Sequence, residues 1–216
     1  MSGQTIGAAP TGAGADRGTT DRPATTDGRR RRSERSRSAI VDAFLELLRE
    51  GAQPSSTQIA ERAGCTQRTV FNHFSDMDEL LVAVAARQTE RVLALLPAPT
   101  EGTFEERVAD YAASLANMLE DTMHVRWAVL VAGAPTIAGI DVPRATHQMF
   151  RNNLDAAFGA ELAALGDERR TAALDALDIV TDAAVWRIRR LHHGQSWADA
   201  RAAVERALLD LLRPPG

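Results

Sequence analysis

The sequence predicts an all-α protein, on three observations. Alanine, leucine, arginine and glutamate dominate a chain with few β-branched runs, a composition that favours helix. A hydroxyl residue stands three positions before an amide or carboxylate residue at Ser55 with Gln58, Thr103 with Glu106 and Ser196 with Asp199, each a helix-start signature. No segment shows the apolar–polar alternation of a half-buried strand.

The elements follow in order. Residues 1–28 are rich in Gly, Ala, Thr and Pro and nearly devoid of large apolar side chains, so disorder is expected there. Arg29, Arg30, Arg31 and Arg32 follow, with Arg35 and Arg37 beyond; the arm is assigned to residues 1–32. A first amphipathic helix spans residues 38–50, with Ile40, Val41, Phe44, Leu47 and Leu48 on one side. It must stop before Pro54. A short second helix starts at the Ser55 cap and turns Ile59, Ala60 and Ala63 inward. Gly64 supplies the positive φ of a sharp turn. Thr66 caps a third helix, anchored by Val70 and Phe74, four apart on one face. A fourth helix covers residues 76–96 and ends at Pro97. Thr103 opens a helix to about residue 121, and a further segment spans 123–131. The Gly- and Pro-containing stretch GAPTIAGIDVP at 133–143 breaks the chain. Helix resumes at 141–165, turns at Gly166 and Asp167, and runs on to His193, where Gly194 ends it. The last helix starts at Ser196 and ends before Pro214 and Pro215. The count is about nine helices, read as a three-helix domain at 33–79 and a larger helical domain at 80–216.

The third helix carries more polar side chains than a core helix can use. Gln67, Arg68, Thr69, Asn72 and His73 lie off the Val70 and Phe74 face. Two short helices about a glycine turn, the second rich in donors, form the layout of a helix-turn-helix, whose second helix enters the DNA major groove. A helical hairpin with a solvated face is the plainer reading; the amphipathic helix before and the long helix after favour the DNA-binding one. The candidate DNA contacts are Ser56, Thr57, Thr66, Gln67, Arg68, Thr69, Phe71, Asn72 and His73, joined by Arg35 and Arg37.

At RSAIVDAFLELLREGA, STQIAERAGCTQRTVFNHF and SDMDELL the chain resembles the N-terminal DNA-binding domain of TetR/AcrR-type transcriptional regulators, over residues 33–81. The resemblance implies a homodimeric repressor, paired through its last two helices and released from double-stranded operator DNA by a small-molecule effector. Two positions depart from the family pattern. Phe71 replaces a usual tyrosine and Met77 a usual lysine, both common phosphate contacts. Free N–H groups at the start of the fourth helix can still hold a phosphate, and the arginine arm is expected to compensate through the DNA backbone or minor groove. Cys65 stands where the family commonly has a small aliphatic residue. It reads as packing, with a redox role as the sharper alternative.

Charge and motifs narrow the function. The formal net charge is −4, yet acidic residues gather after Ser75 while the arm and first helices are basic, which fits a basic reading head on an acidic body. One cysteine precludes an internal disulfide and suits a reducing cytoplasm, the expected location. The N-terminus lacks an apolar run, so no secretory signal is expected, and the stretch 127–140 is too short to span a membrane. No GxGxxG, P-loop, GxSxG or HExxH is present, so neither enzymatic activity, nor a cofactor, nor a metal site is expected.

In the larger domain, Leu174, Leu177, Ala184, Ile188 and Leu191 form one apolar side of the penultimate helix. Trp197, Val204, Ala207, Leu208, Leu211 and Leu212 form a stripe on the last; a single chain could bury them internally, whereas the resemblance implies that the two helices meet a second subunit. Met118, Trp127, Phe150 and Trp186 are the candidate ligand contacts, suited to a flat or apolar ligand, with His124 and His147 as possible polar anchors. The break at 133–143 is a candidate entrance. Besides the ligand-released repressor, an activating or ligand-independent DNA-binding regulator remains open, and so does a helical carrier or enzyme.

Overall fold

The computed structural model describes residues 24–132, 136–137 and 140–213. Among them the chain forms nine α-helices and one two-residue hairpin, β1 (Thr136–Ile137) antiparallel to β2 (Ile140–Asp141). The all-α class stands. The hairpin is too short for alternation to mark it in the sequence. Packing divides the chain into two units, residues 1–36 and 37–216.

The described part of the first unit belongs to helix α1 (Ala24–Arg49). Arg30 pairs with Glu34 at 2.9 Å and Arg31 with Asp27 at 3.0 Å, each one helical turn apart. Residues 24–32 are thus helical where the sequence reading predicts disorder. Arginine is a good helix former, and paired i,i+4 charges favour helix over coil. The rest of the expected arm, residues 1–23, lies outside the described residues.

The second unit begins with the remainder of α1, then α2 (Ser56–Arg62), α3 (Gln67–His73) and α4 (Met77–Leu95). Ser55 accepts from the Gln58 N–H at 3.3 Å, and the Gln58 side chain accepts from the Ser55 N–H at 2.9 Å. Gly64 takes φ +66 between α2 and α3, where a side chain would be strained. Ile40, Phe44 and Leu48 of α1 close over Ile59, Val70, Phe74, Leu80 and Val84 to make one apolar core. Two pairings stitch its rim. Arg62 forks onto the Glu50 carboxylate at 2.8 and 3.0 Å, and Arg87 of α4 reaches Asp42 at 3.0 Å and Ser38 Oγ at 3.2 Å.

The body is built around α5 (Phe104–Val131), which packs on α4, α8 and α9. It is a single helix, although the sequence suggests a division near residue 122. The Thr122 hydroxyl donates to the Met118 carbonyl at 2.7 Å, so this buried polar residue is satisfied inside the helix and does not end it. α6 (Val142–Ala164) kinks at Phe158, beside Gly159. The predicted long penultimate helix is instead α7 (Asp167–Val180), α8 (Ala183–Arg187) and a π-helical turn over Ile188–His192. The interruption comes from Asp182, whose carboxylate accepts from the Ala184 N–H at 2.7 Å and the Val185 N–H at 3.3 Å and so starts a new helix. α9 (Trp197–Leu212) follows. Ser196 caps it, but the Asp199 carboxylate binds the Ser196 hydroxyl instead of its N–H, so this capping box is only half formed.

The body's core joins Leu115, Met118 and Leu119 of α5 to Phe158, Leu177, Trp186, Val204, Leu208 and Leu212. This corrects one expectation. Val204, Leu208 and Leu212 belong to the stripe assigned to a second subunit, yet they are completely buried within the chain's own core. The apolar side chains left exposed nearby are Ile179, Ile188 and Leu191.

Candidate functional site

The reading head presents α3 outward. Val70 and Phe74 are buried, which turns Gln67, Arg68, Phe71 and Asn72 to solvent and leaves Thr69 and His73 half-buried. Phe71 remains 44% exposed, large for a ring with no hydroxyl to hydrate. Some candidate contacts already have partners. Thr66 Oγ1 accepts from the Thr69 N–H at 3.1 Å and lies 2.9 Å from the Thr69 hydroxyl, so these two threonines set the start of α3. The Gln67 amide donates to Ser56 Oγ at 2.7 Å and ties the first residue of α3 to the first of α2. Thr57, Arg68 and Asn72 have no hydrogen-bond partner among the described residues, and their polar ends are available to bases or phosphates.

Two basic candidates behave differently from a loose arm. Arg37 lies with its guanidinium 4.5 Å from the centre of the Phe74 ring, a cation–π contact that holds it against the head. Arg35, in the first unit, donates from Nε to the Arg31 carbonyl at 3.3 Å. The start of α4 also departs from expectation. The Asp76 carboxylate accepts the Glu79 N–H at 2.8 Å, and the Glu79 carboxylate accepts the Ser75 N–H at 2.7 Å. These bonds hold both carboxyls below the usual carboxylate range. The Glu79 N–H at this helix start is thus already taken by the Asp76 carboxylate, and a phosphate there would meet like charge. Met77 packs inward against the head's core.

The Cys65 thiol is half-buried, and burial pushes its pKa up, away from the reactive thiolate. That favours the packing reading of this residue.

The body contains a cavity of about 530 Å³ among α4, α5, α6, α7 and α8, within the range that holds a drug-sized ligand. Of the four candidate ligand contacts, Trp127 and Phe150 line it. Met118 and Trp186 do not; both are fully buried core, and the Trp186 indole N–H donates to Glu120 at 2.8 Å. His147 also lines the cavity, with Nε2 3.4 Å from Asp178, whereas His124 lies against Gly51 at the end of α1. Of the candidate entrance, residues 133–135, 138 and 139 lie outside the described residues.

Sequence reasoning missed the two polar side chains that distinguish this wall, Gln88 of α4 and Arg126 of α5. Gln88 is only 3% exposed, and neither amide atom has a hydrogen-bond partner among the described residues. Arg126 stands over Phe150 at 5.5 Å, and its Nη1 likewise has no partner among them. A signal was present. Gln88 interrupts the stripe Leu81, Val84, Ala85 and Val92, and Arg126 continues the stripe Leu115, Leu119 and Thr122, so each is polar at an inward position.

Head and cavity share structure. Leu80, Leu81 and Val84 of α4 lie in the head's core, while Ala85, Gln88, Thr89 and Val92, on the next turns, line the cavity. Val125 of α5 does both. Arg91 of α4 clamps Asp121 of α5 at 2.9 and 3.0 Å, and Arg49 of α1 reaches the same carboxylate at 4.0 Å. These cations hold Asp121 below the usual carboxylate range.

Comparison with known proteins agrees with this geometry. Residues 40–84 match the family described as bacterial regulatory proteins, tetR family. A crystal structure of a transcriptional regulator from Rhodococcus sp. Rha1 superposes with a TM-score of 0.60 at 22% identity, over 83% of this chain and 95% of that one. At that identity the likeness establishes the fold. No curated protein matches the chain.

Proposed function

We propose that this chain, a transcriptional regulator with a TetR-family DNA-binding domain, acts as a homodimeric repressor released from a palindromic operator by a small apolar or aromatic ligand. The observation that carries the reading is α4. One end of this helix is built into the head's core and the other into the cavity wall, so a molecule that changes how α4 packs must also move the head.

DNA binding through α3 is supported by the outward Arg68, Asn72 and Gln67 and by Thr57 at the start of α2. One seven-residue helix reads few base pairs, and a second copy about 34–36 Å away along the duplex supplies the rest of the specificity. Ile179 at 65% exposure, Leu191 at 50% and Ile188 at 38% offer an unpaired apolar surface for that pairing beside α9. Cytoplasmic location is part of the same proposal. Among the described residues no helix is long and apolar enough to cross a membrane.

Selecting operator DNA from a random pool tests the reading. The expected product is a pair of inverted half-sites bound by two chains, with the complex dissociated by compounds that also raise the protein's melting temperature. A single half-site bound by one chain, unaffected by any compound that enters the cavity, would refute it.

A further inference from the structure

We infer that the cavity selects ligands bearing a carboxylate, held by Arg126 and Gln88, with the apolar remainder against Val92, Trp127 and Phe150. The inference deepens the ligand-site reading above and rests on it.

Most polar groups of the cavity wall already have partners. Its carboxylates are engaged. Asp178 accepts from Arg151 Nε at 2.9 Å and faces His147 at 3.4 Å, and Asp182 accepts the two N–H groups that start α8. The hydroxyls of Thr89 and Thr181 donate to the Ala85 and Leu177 carbonyls at 3.0 and 2.8 Å. Among the wall's fully buried polar atoms, the Gln88 amide and Arg126 Nη1 are the exceptions, with no partner among the described residues. Gln88 is 3% exposed with both amide atoms unpartnered, and Arg126 makes no hydrogen bond or ion pair with any described residue.

A buried amide with no partner among the described residues, and a half-buried guanidinium whose Nη1 is buried without one, are unfavourable in the empty protein. They become favourable when a ligand supplies acceptors. Guanidinium stays protonated and presents a planar fork of N–H donors that matches a carboxylate. Burial draws the Arg126 pKa down from its ordinary value, and the charge of Asp182 works against that shift, so the group gains from an anion placed beside it. The Gln88 amide donates to the same anion. A neutral ligand leaves the charge offset by Asp182 alone, and a cationic one adds repulsion.

The test uses three probes of one shape: biphenyl-4-carboxylate, biphenyl-4-carboxamide and biphenyl-4-ylmethylammonium, titrated by calorimetry into the full-length protein. The carboxylate is expected to bind about tenfold tighter than the amide, and the ammonium most weakly. Arg126→Met is expected to erase the preference and to raise the melting temperature of the ligand-free protein. Gln88→Leu, a second variant should the first fail to fold, is expected to weaken carboxylate binding while leaving the amide nearly unchanged. Equal affinities, no binding of any probe at millimolar concentration, or a preference that survives Arg126→Met would overturn the inference. A carboxylate that binds with the expected preference yet leaves the operator complex intact supports the inference and refutes ligand release alone.

Discussion

The reading head and the body's cavity are both built by packed helices, but only one of them closes. In the head, Ile40, Ile59, Val70, Phe74, Leu80 and Val84 are all at 1% exposure or less, and the polar residues around them sit in caps and ion pairs at the rim. In the body, five helices leave about 530 Å³ between them, with a glutamine amide and an arginine Nη1 in the wall that have no partner among the described residues. A closed core holds one arrangement of a recognition helix. An open one, with unmet polar groups, is stabilised by whatever fills it. The two properties suit opposite ends of a ligand-controlled switch.

The largest expected effect tests the closed region. Phe74→Ala removes a ring at 1% exposure and the surface on which Arg37 stacks, and should cost about 3–5 kcal/mol in denaturant unfolding, with loss of DNA binding. A cost below about 1 kcal/mol would mean that the head is not tightly packed. Arg68→Ala should leave the melting temperature unchanged and cost about 1–3 kcal/mol on the selected operator. An equal loss on random DNA would reassign Arg68 to a phosphate.

Two caps compare the regions directly. Ser55→Ala should cost about 1 kcal/mol of stability. Asp182→Ala removes a similar cap but also the negative charge that offsets Arg126, so it should cost more than the head's cap and should tighten carboxylate binding. Equal costs, with no change in ligand affinity, would separate Asp182 from the cavity's electrostatics.

The smallest effect is a pH dependence at the contact between body and head. Burial, reinforced by the charge of Arg187 and opposed by Glu120, lowers the His124 pKa in the folded protein. A histidine depressed on folding contributes stability above its unfolded pKa and loses it as pH falls toward the folded value. The melting temperature should therefore decline modestly below the ordinary histidine range, before the carboxylates titrate. His124→Gln should flatten that decline; an unchanged slope would remove His124 from the contact beside Gly51.

The head was almost wholly legible because its signals are local. Ser55 with Gln58, Gly64 and Thr66 act within four residues of themselves, and each took the predicted role. The start of α4 was less legible, because it turns on side-chain conformation. Asp76 folds back on the Glu79 N–H and Glu79 on the Ser75 N–H, and spacing alone does not show it. In the body, aromatic and methionine content pointed to a pocket, but size and apolarity could not separate Trp127 and Phe150 at the wall from Met118 and Trp186 in the core. The same ambiguity applied to α9, whose Val204, Leu208 and Leu212 satisfy one apolar stripe equally well against α5 or against a second chain.

The sequence by itself determined the helical class, most helix starts and stops, and the helix-turn-helix with its outward polar face. Caps, glycine turns and 3.6-residue periodicity are short-range interactions written in neighbouring residues. The tertiary structure alone decided which apolar stripes meet, where α7 gives way to α8, and that Gln88 and Arg126 Nη1 stand in a cavity wall without partners among the described residues. Those outcomes depend on faces brought together from helices tens of residues apart. A polar residue in an apolar stripe signals an unmet hydrogen bond only once its neighbours are in place.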